Sequence, residues 1–312
     1  MPAATLPDGT IHYRDLGDPT APPVVFVHGV LVNGSLWDDV AHAVAAAGLR
    51  AIVPDWPLGS HPEAMAPSAD MSPRGVARMI VAFLDHLELT DACLVANDTG
   101  GALTQLALTI DARRVGKVVF TNCDTFDRFP PPPFDRLFRA ARLPGALRIG
   151  FLASRSGRLA RIGYAPLVAT PLESDTARAW TRPGATQPGV RADLRRFLAA
   201  IDPTELEAAA TQLDRFPGRA LMAWAHEDPY FRIEDARRLA ACFRSATVVE
   251  IDASRTFVPH DQPAVLADHI TAFARDHTPG NVTATPVTPS GTVTGRPDAA
   301  GTRPAAHRGD DR

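Results

Sequence analysis

The sequence predicts an α/β protein with a mostly parallel sheet that helices cover on both faces. Short apolar runs alternate with stretches in which apolar residues recur at helical spacing, the pattern of parallel strands joined by helices. One strand turns into a helix through the glycine-rich bend at residues 97–101. The alternation stops between residues 126 and 202, where helical patterns follow one another without strands, and it resumes afterwards.

The first half of the chain contains three predicted strands ahead of that bend. Residues 10–14 follow an Asp-Gly turn, residues 24–27 are fully apolar, and residues 50–54 form the third run. Ser72 and Pro73 mark a helix start, and the apolar residues after them fall on one helical stripe. A helix between strands is the connection that parallel pairing requires.

The bend itself follows an apolar strand at residues 92–96. Asp98 lies at its tip, and the residues two positions away, Ala96 and Gly100, are small. Gly101 allows the next helix to pack close to the sheet. This is the pattern of a nucleophile elbow, in which a strained turn presents a reactive side chain. The alternative interpretation is a helix N-cap formed by Asp98 in a glycine-rich turn.

Several polar or glycine-containing segments follow strand ends and are expected to share one rim of the sheet. They are His28 to Val30, residues 55–61, Asp98, and residues 122–124. In parallel sheets, ligands bind beyond the carboxyl ends of the strands. We therefore expect a binding or catalytic site at this rim.

The domain organisation predicted from these patterns is a core interrupted by an insertion. Residues 1–125 and 203–277 form the core, with two further strands at 219–224 and 246–251 and a final helix at 261–273. Residues 126–202 form a helical cap over the rim. Residues 278–312 lack periodicity and are predicted to be disordered. The arginines of the cap are interpreted as a solvated face, with an acid-binding entrance as the alternative: Arg136, Arg139, Arg142, Arg148, Arg155, Arg158 and Arg161.

The composition limits the kinds of partner that we expect this protein to bind. The chain has 312 residues, 45% of them hydrophobic and 21% charged, which suffices for one large α/β domain. A net charge of -3 gives no reason to expect a nucleic-acid partner. No apolar run is long enough for a signal or a membrane span, so we expect a cytoplasmic protein without a membrane partner. Cys93, Cys123 and Cys242 lack metal-ligand spacing, and neither a metal nor a cofactor is predicted.

Five motifs in order resemble the α/β-hydrolase fold, and together they extend over roughly residues 9–273. They are the strand leading to His28-Gly29, the Asp-x-Pro-x-Gly-Ser loop at 55–60, the elbow, the strand leading to Asp228-Pro229, and the segment at 257–263. The resemblance implies an eight-stranded sheet. An aspartate at the elbow is similar to the branch of haloalkane dehalogenases and epoxide hydrolases.

That resemblance implies roles for individual residues. Asp98 would be the nucleophile, and the backbone N–H groups of Val30 and Thr99 would stabilise negative charge on an oxygen. Asp228 would be the acid that orients a histidine, with Asp124 as a second candidate for this role. An Asp-Pro turn is the alternative explanation of Asp228.

The chemistry suits a carboxylate at the tip. We expect the helix dipole to keep the pKa of Asp98 low, so that it is ionised at neutral pH and is a weak base. It could then attack a carbon that bears a halide or an epoxide oxygen and form an ester, which a histidine-activated water would hydrolyse.

Two departures from the family pattern stand out. The position of the catalytic histidine is Thr256, and threonine is not a base near neutral pH. His260 is the first candidate to replace it, and His61 and His226 are the others; for each, a surface or helix-start histidine is the favoured alternative.

The second departure concerns the leaving group. Thr99 and Val30 stand where dehalogenases typically have a tryptophan and a halide-binding polar or aromatic residue, and Asn33 is a weak substitute. Epoxide hydrolases typically use two cap tyrosines, and Tyr164 is the only one in the predicted cap.

The functional hypothesis is a cofactor-independent hydrolase acting through Asp98 on a small or medium apolar substrate with a C–halogen, epoxide or ester bond. The alternative is a ligand-binding protein of the same fold that has lost turnover. A serine-type esterase would need a serine at the tip of the elbow. The residues expected to line the pocket are His28, Asn33, Asn97, Phe129, Phe134 and Trp180.

Overall fold

A computed structural model describes residues 1–276. Its eight strands form one sheet in the order β1-β2-β4-β3-β5-β6-β7-β8, with antiparallel pairing of β1 with β2 and of β2 with β4, and parallel pairing elsewhere. The predicted mostly parallel, eight-stranded sheet is confirmed. The strands are β1 Ala3–Leu6, β2 Gly9–Leu16, β3 Pro23–Val27, β4 Arg50–Pro54, β5 Ala92–Asp98, β6 Val115–Cys123, β7 Arg219–Ala225 and β8 Ala246–Ile251.

Helices lie on both faces of the sheet. They are α1 Asp38–Ala46, α2 Pro73–His86, α3 Thr99–Ile110, α4 Phe134–Ala141, α5 Ala146–Ser154, α6 Gly157–Tyr164, α7 Ser174–Thr186, α8 Pro188–Ala199, α9 Pro203–Ala210, α10 Ile233–Ala240, α11 Val258–Asp261 and α12 Pro263–Arg275. Alternation along β3 shows the two faces. Val25 and Val27 pack into the core that includes α2 and α3, and Val24 and Phe26 pack into the core with α1 and α12.

Two elements differ from the sequence-based expectation. Strand β1 was not predicted, because a four-residue edge strand gives almost no periodic signal. The final helix begins at Pro263 rather than at Asp261. Proline is tolerated at the first helical position but disfavours helical geometry in the residue before it, and Gln262 has φ -135° and ψ 55°.

Helices α4 to α8 lie between β6 and β7 and are bonded to the loops at the rim of the sheet. The indole Nε1 of Trp180 donates to Ser35 Oγ over 2.7 Å, and the hydroxyl of Ser60 donates to the carbonyl of Trp180 over 2.5 Å. The hydroxyl of Tyr164 donates to the carbonyl of Leu31 over 2.5 Å. The predicted domain boundaries stay predictions, and the predicted disordered tail lies outside the described residues.

Candidate active site

Asp98 occupies the bend between β5 and α3 with a strained backbone. Its φ is 54° and its ψ is -134°, a conformation that residues other than glycine rarely adopt. A Cβ placed on Gly100 would lie 2.3 Å from the carbonyl oxygen of Val27. A Cβ placed on Gly101 would lie 2.3 Å from the side chain of Cys123. The two glycines are therefore required because the bend packs directly against neighbouring strands.

The carboxylate of Asp98 is not used to cap the helix. Asp98 stands at the N-cap position of α3, but its side chain makes no capping hydrogen bond. A Cβ on Gly29 would lie only 2.0 Å from Asp98 Oδ2, so the carboxylate lies against the backbone of the loop after β3. The cap interpretation thus lacks its defining hydrogen bond, and the structure brings Asp98 together with the His28–Val30 loop as expected.

Two backbone N–H groups near this carboxylate have no main-chain acceptor. The N–H of Val30 makes no hydrogen bond to any residue among 1–276. The N–H of Thr99, the first residue of α3, has no intrahelical acceptor, and it lowers the pKa of Asp98. These are the two donors that the sequence resemblance implied.

Burial dominates the electrostatics of Asp98. Loss of hydration raises its pKa to about 7, the negative charge of Asp228 acts in the same direction, and the Thr99 N–H opposes both. The expected low pKa is therefore wrong. The helix dipole and the N–H groups at the helix start lower the pKa of Asp98, but burial raises it more, because the carboxylate loses its hydration.

Asp124 forms a second buried carboxyl group beside the elbow. Its backbone N–H lies 3.4 Å from the carbonyl oxygen of Asp98, and the residue is 1% exposed. Within residues 1–276, neither carboxylate oxygen has a hydrogen-bond partner. Burial, and then the charge of Asp98, raise the pKa of Asp124 well above its usual value, against an opposing effect of the Thr99 hydroxyl. The two groups form a coupled pair in which one carboxyl disfavours ionisation of the other.

Asp228 is held by four donors. Its Oδ1 accepts from the N–H groups of Tyr230 (2.8 Å) and Phe231 (3.3 Å). Its Oδ2 accepts from Asn122 Nδ2 (3.0 Å) and from the hydroxyl of Thr256 (2.9 Å). Burial raises the pKa of Asp228, and these hydrogen bonds lower it. The hydroxyl of Thr256 thus bonds to the carboxylate that was expected to orient a histidine.

The histidine candidates bond elsewhere. His260 Nε2 lies 3.0 Å from the carbonyl oxygen of Thr170. His61 accepts from the N–H of Gly59 at one ring nitrogen and lies 3.1 Å from Asp193 Oδ2 at the other. His226 Nδ1 lies 3.4 Å from Asp252 Oδ1 near the surface. Within the described chain, the structure brings none of the three into hydrogen-bond contact with the elbow.

His28 has a structural environment. Its Nδ1 lies 2.8 Å from the carbonyl oxygen of Gly29, and its Nε2 accepts from the N–H of Trp56 over 2.8 Å. Burial lowers its pKa to about 4, so the ring is neutral. His28 therefore fixes the loop that contacts Asp98.

The residues expected to line the pocket show mixed environments. Asn33 Oδ1 accepts from the N–H and hydroxyl of Ser35, which in turn accepts from the indole of Trp180. Phe129 packs on the elbow helix at Ala102. The ring of Phe134 lies 4.9 Å from that of Tyr230. Trp180 packs between Tyr164 and Phe257. Their role as pocket lining stays a prediction.

Two buried asparagines connect the parts of the site, and their roles were not predicted. Asn97 Nδ2 donates to the carbonyl of Thr256 over 2.6 Å and to Thr121 Oγ1 over 2.8 Å. Asn122 bonds to Asp228 and to both backbone groups of Ala225. The only available signal was a polar amide at the end of an apolar strand, where a buried amide requires partners.

Two features are absent from residues 1–276. No group of three or more His, Cys, Asp or Glu side chains is placed to hold a metal ion. No helix in this range combines the length and apolar character needed to cross a membrane.

Comparison with known proteins identifies one fold family and several relatives. A family model described as alpha/beta hydrolase fold matches residues 22–263. The haloalkane dehalogenase of Mesorhizobium japonicum is 32% identical over 46% of this chain, and the match spans 50% of that relative. Haloalkane dehalogenase 2 of Mycobacterium tuberculosis is 28% identical over 83% of this chain and 89% of the relative.

Solved structures agree on the fold. A putative ancestral haloalkane dehalogenase superposes with a TM-score of 0.73 and 21% identity, covering 88% of this chain and 98% of that one. An α/β-hydrolase fold protein from Burkholderia ambifaria superposes with a TM-score of 0.73 and 21% identity, covering 87% of this chain and 97% of that one. The family match, which extends over more than half of the chain and agrees with the elbow and the sheet order, shows that the chain belongs to the α/β-hydrolase fold family.

Proposed function

We propose that Asp98 attacks an electrophilic carbon of a small or medium apolar substrate and forms a covalent ester. The main support is the position of Asp98: a strained bend presents its carboxylate, no capping bond occupies it, and it lies beside available N–H groups. An alkyl halide or an epoxide is the matching substrate class, because a carboxylate displaces halide or opens the epoxide ring at carbon.

The first step requires ionised Asp98. One carboxylate oxygen forms a bond to the carbon, and the carbon–halogen bond breaks with its electron pair leaving on the halide. For an epoxide, the carbon–oxygen bond breaks and the oxygen must take a proton. Because burial raises the pKa of Asp98 to about 7, the rate of this step should rise as pH increases through neutrality.

Asp124 is our candidate base for the second step. While Asp98 is ionised, its charge helps keep Asp124 protonated. Ester formation makes Asp98 neutral and removes that repulsion. This lowers the pKa of Asp124 and favours release of its proton to solvent, against the larger effect of burial, which remains.

Asp124 would then act as follows. Its carboxylate accepts a proton from a water molecule that attacks the ester carbonyl. The tetrahedral oxygen is stabilised by the N–H groups of Val30 and Thr99. The intermediate expels the alcohol oxygen, which takes the proton from Asp124. Asp98 is then left as a carboxylic acid, and transfer of its proton to the Asp124 carboxylate restores ionised Asp98 and protonated Asp124.

The comparisons favour the halide class. Several relatives are named haloalkane dehalogenases, and one, from Caballeronia sordidicola, is named an epoxide hydrolase and is 31% identical over 29% of this chain. Thr256 stands at the position of the histidine in the family pattern, so the proposed route uses a different base. It also differs at the leaving group, because Thr99 and Val30 occupy the positions of the typical halide-binding residues.

The test is intact-protein mass spectrometry with product analysis after incubation with a panel of alkyl halides and epoxides. We expect product from the wild type. Asp124→Asn should accumulate an alkyl ester and lose about 10²- to 10⁴-fold in hydrolysis, the usual size of a general-base effect. Asp98→Asn should give neither adduct nor product.

The outcomes separate the two parts of the proposal. Equal product from Asp98→Asn would exclude Asp98 as the nucleophile. Full turnover by Asp124→Asn, with Asp98→Asn inactive, would keep the nucleophile and exclude Asp124 as the base.

A second candidate is a ligand-binding protein without turnover. The observation that favours it is the complete set of structural donors around Asp228, including the hydroxyl of Thr256. Saturable binding in calorimetry, with neither adduct nor product from any compound that binds, would support it over the hydrolase.

A further inference from the structure

The outer face of α4 to α6, together with the turns that join them, exposes an unusual number of large apolar side chains. Eight such side chains are exposed among residues 1–276, and six of them lie in this segment. A soluble surface ordinarily scatters such residues singly. The six are Leu137 (57%), Leu143 (63%), Ile149 (72%), Leu152 (50%), Leu159 (52%) and Ile162 (64%).

The same segment is strongly cationic. Residues 134–164 contain seven arginines and one acidic residue, in a chain whose net charge is -3. That acidic residue, Asp135, pairs with Arg139 over 2.7 Å. Six arginines make no ion pair with any residue of the described chain: Arg136, Arg142, Arg148, Arg155, Arg158 and Arg161.

Helix α6 shows how the two properties share one face. Gly157, Ala160 and Tyr164 are buried against the rest of the protein. The positions between them are exposed and alternate in character, with Arg158 and Arg161 next to Leu159 and Ile162.

Helix α5 repeats this arrangement. Phe151 is buried, while Arg148, Ile149 and Leu152 are exposed. A Cβ placed on Gly150 would have no heavy atom within 4 Å, which confirms that this side of the helix is open.

The charge distribution selects the partner. A second copy of this chain, docked symmetrically, would place two arginine-rich faces against each other at a cost in repulsion. An anionic bilayer surface satisfies both properties, because its headgroups attract arginine and its interfacial region accepts leucine and isoleucine side chains.

We propose that the outer face of α4 to α6 docks this protein on anionic membrane surfaces. The contact is peripheral and needs no spanning helix, and it replaces the sequence-based expectation that no membrane takes part. Tyr164 links this face to the site, since it lies on α6 and donates to the carbonyl of Leu31 in the loop that contacts Asp98. Docking would hold the proposed apolar-substrate site beside the phase where apolar compounds concentrate.

The test is vesicle flotation of the full chain. Vesicles of phosphatidylcholine alone are compared with vesicles that also contain phosphatidylglycerol, at 0.1 M salt and at higher salt. We expect binding to the anionic vesicles that weakens as salt is added. Each basic residue at such a surface contributes about fivefold in partitioning, so Arg148→Gln with Arg158→Gln should reduce it about 25-fold.

Apolar and control variants complete the design. Ile149→Ser with Ile162→Ser should reduce binding at least tenfold, through loss of apolar burial. Val265→Ser and Arg215→Gln change an exposed apolar residue and an exposed arginine outside this segment, and should bind like wild type. All these positions are exposed, so the fold should be unchanged in circular dichroism.

Three results would overturn the proposal. The first is no binding to anionic vesicles at 0.1 M salt. The second is equal loss of binding in the control variants. The third is a wild-type dimer, in the absence of vesicles, that Ile149→Ser with Ile162→Ser dissociates, because the face would then be a subunit interface. None of these results depends on the activity of Asp98.

Discussion

The elbow at residues 97–101 and the loop between β8 and α11, called the last loop below, differ in how much of the family pattern they keep. At the elbow, Asp98 has the strained backbone, the small neighbours and the adjacent N–H groups that a nucleophile requires. In the last loop, Thr256 stands in place of a histidine and donates to Asp228. The elbow thus keeps the features of the family pattern, whereas the position of the family's histidine is filled by a residue that forms a structural hydrogen bond.

The elbow and position 256 make different kinds of contact with their surroundings. The elbow is constrained by main-chain packing: Cβ atoms at Gly29 and Gly100 would meet the carboxylate of Asp98 and the carbonyl of Val27. At position 256, the side-chain hydroxyl supplies a donor to Asp228 Oδ2. A threonine at position 256 therefore leaves the buried carboxylate of Asp228 with a full set of hydrogen-bond donors.

The largest expected effect is at the elbow glycine. Gly100→Ala should lower the free energy of unfolding by about 3 to 5 kcal/mol, because the added methyl meets main-chain atoms of Val27 and His28 that cannot move without disturbing the sheet. Urea denaturation measures this. The matched control is Gly150→Ala in open space on α5, which should gain about 0.5 to 1 kcal/mol from helix propensity. A loss below about 1 kcal/mol at Gly100 would contradict the packing argument.

The second effect is the pH dependence of stability at Asp98. Its pKa is about 7 in the folded protein, against an ordinary value of 3.8, so the folded state binds more protons and the contribution of Asp98 to stability falls as pH rises through this window. Asp98→Asn removes that cost. Above pH 7 the variant should be more stable by about 2 to 4 kcal/mol, and the gain should vanish below about pH 4.

Thermal unfolding of both proteins from pH 4 to pH 8 tests this. A constant difference across the range would show that the gain has another origin. A destabilised variant at pH 8 would show that the ionised carboxylate is favourably solvated.

The smallest expected effect on stability is at Thr256 in the last loop. Thr256→Val keeps the shape but removes the donor to Asp228 Oδ2, so it should cost about 1 to 3 kcal/mol through an incompletely satisfied buried carboxylate. Thr256→Ser keeps the hydroxyl and should cost less, about 1 kcal/mol for one buried methyl. Equal stability of the valine variant and wild type in urea would mean that this hydrogen bond contributes nothing to the fold.

Local sequence patterns determined several strands, a helix start and the bend at Asp98. The apolar runs at residues 50–54 and 246–251 became strands with the predicted bounds, and Ser72 and Pro73 begin α2 as expected. The small residues around Asp98 identified the bend. These features could be predicted because apolar periodicity, proline and glycine act through the backbone over a few residues.

Only the tertiary structure decided the electrostatics and partners of the site. The pKa of Asp98 rises because burial outweighs the helix start, and Asp124 is enclosed without partners. The three candidate histidines are bonded away from the elbow. Asn97 reaches a carbonyl 159 residues away in the chain. Solvation and long-range hydrogen bonds depend on which distant segments meet, and local spacing contains no record of that.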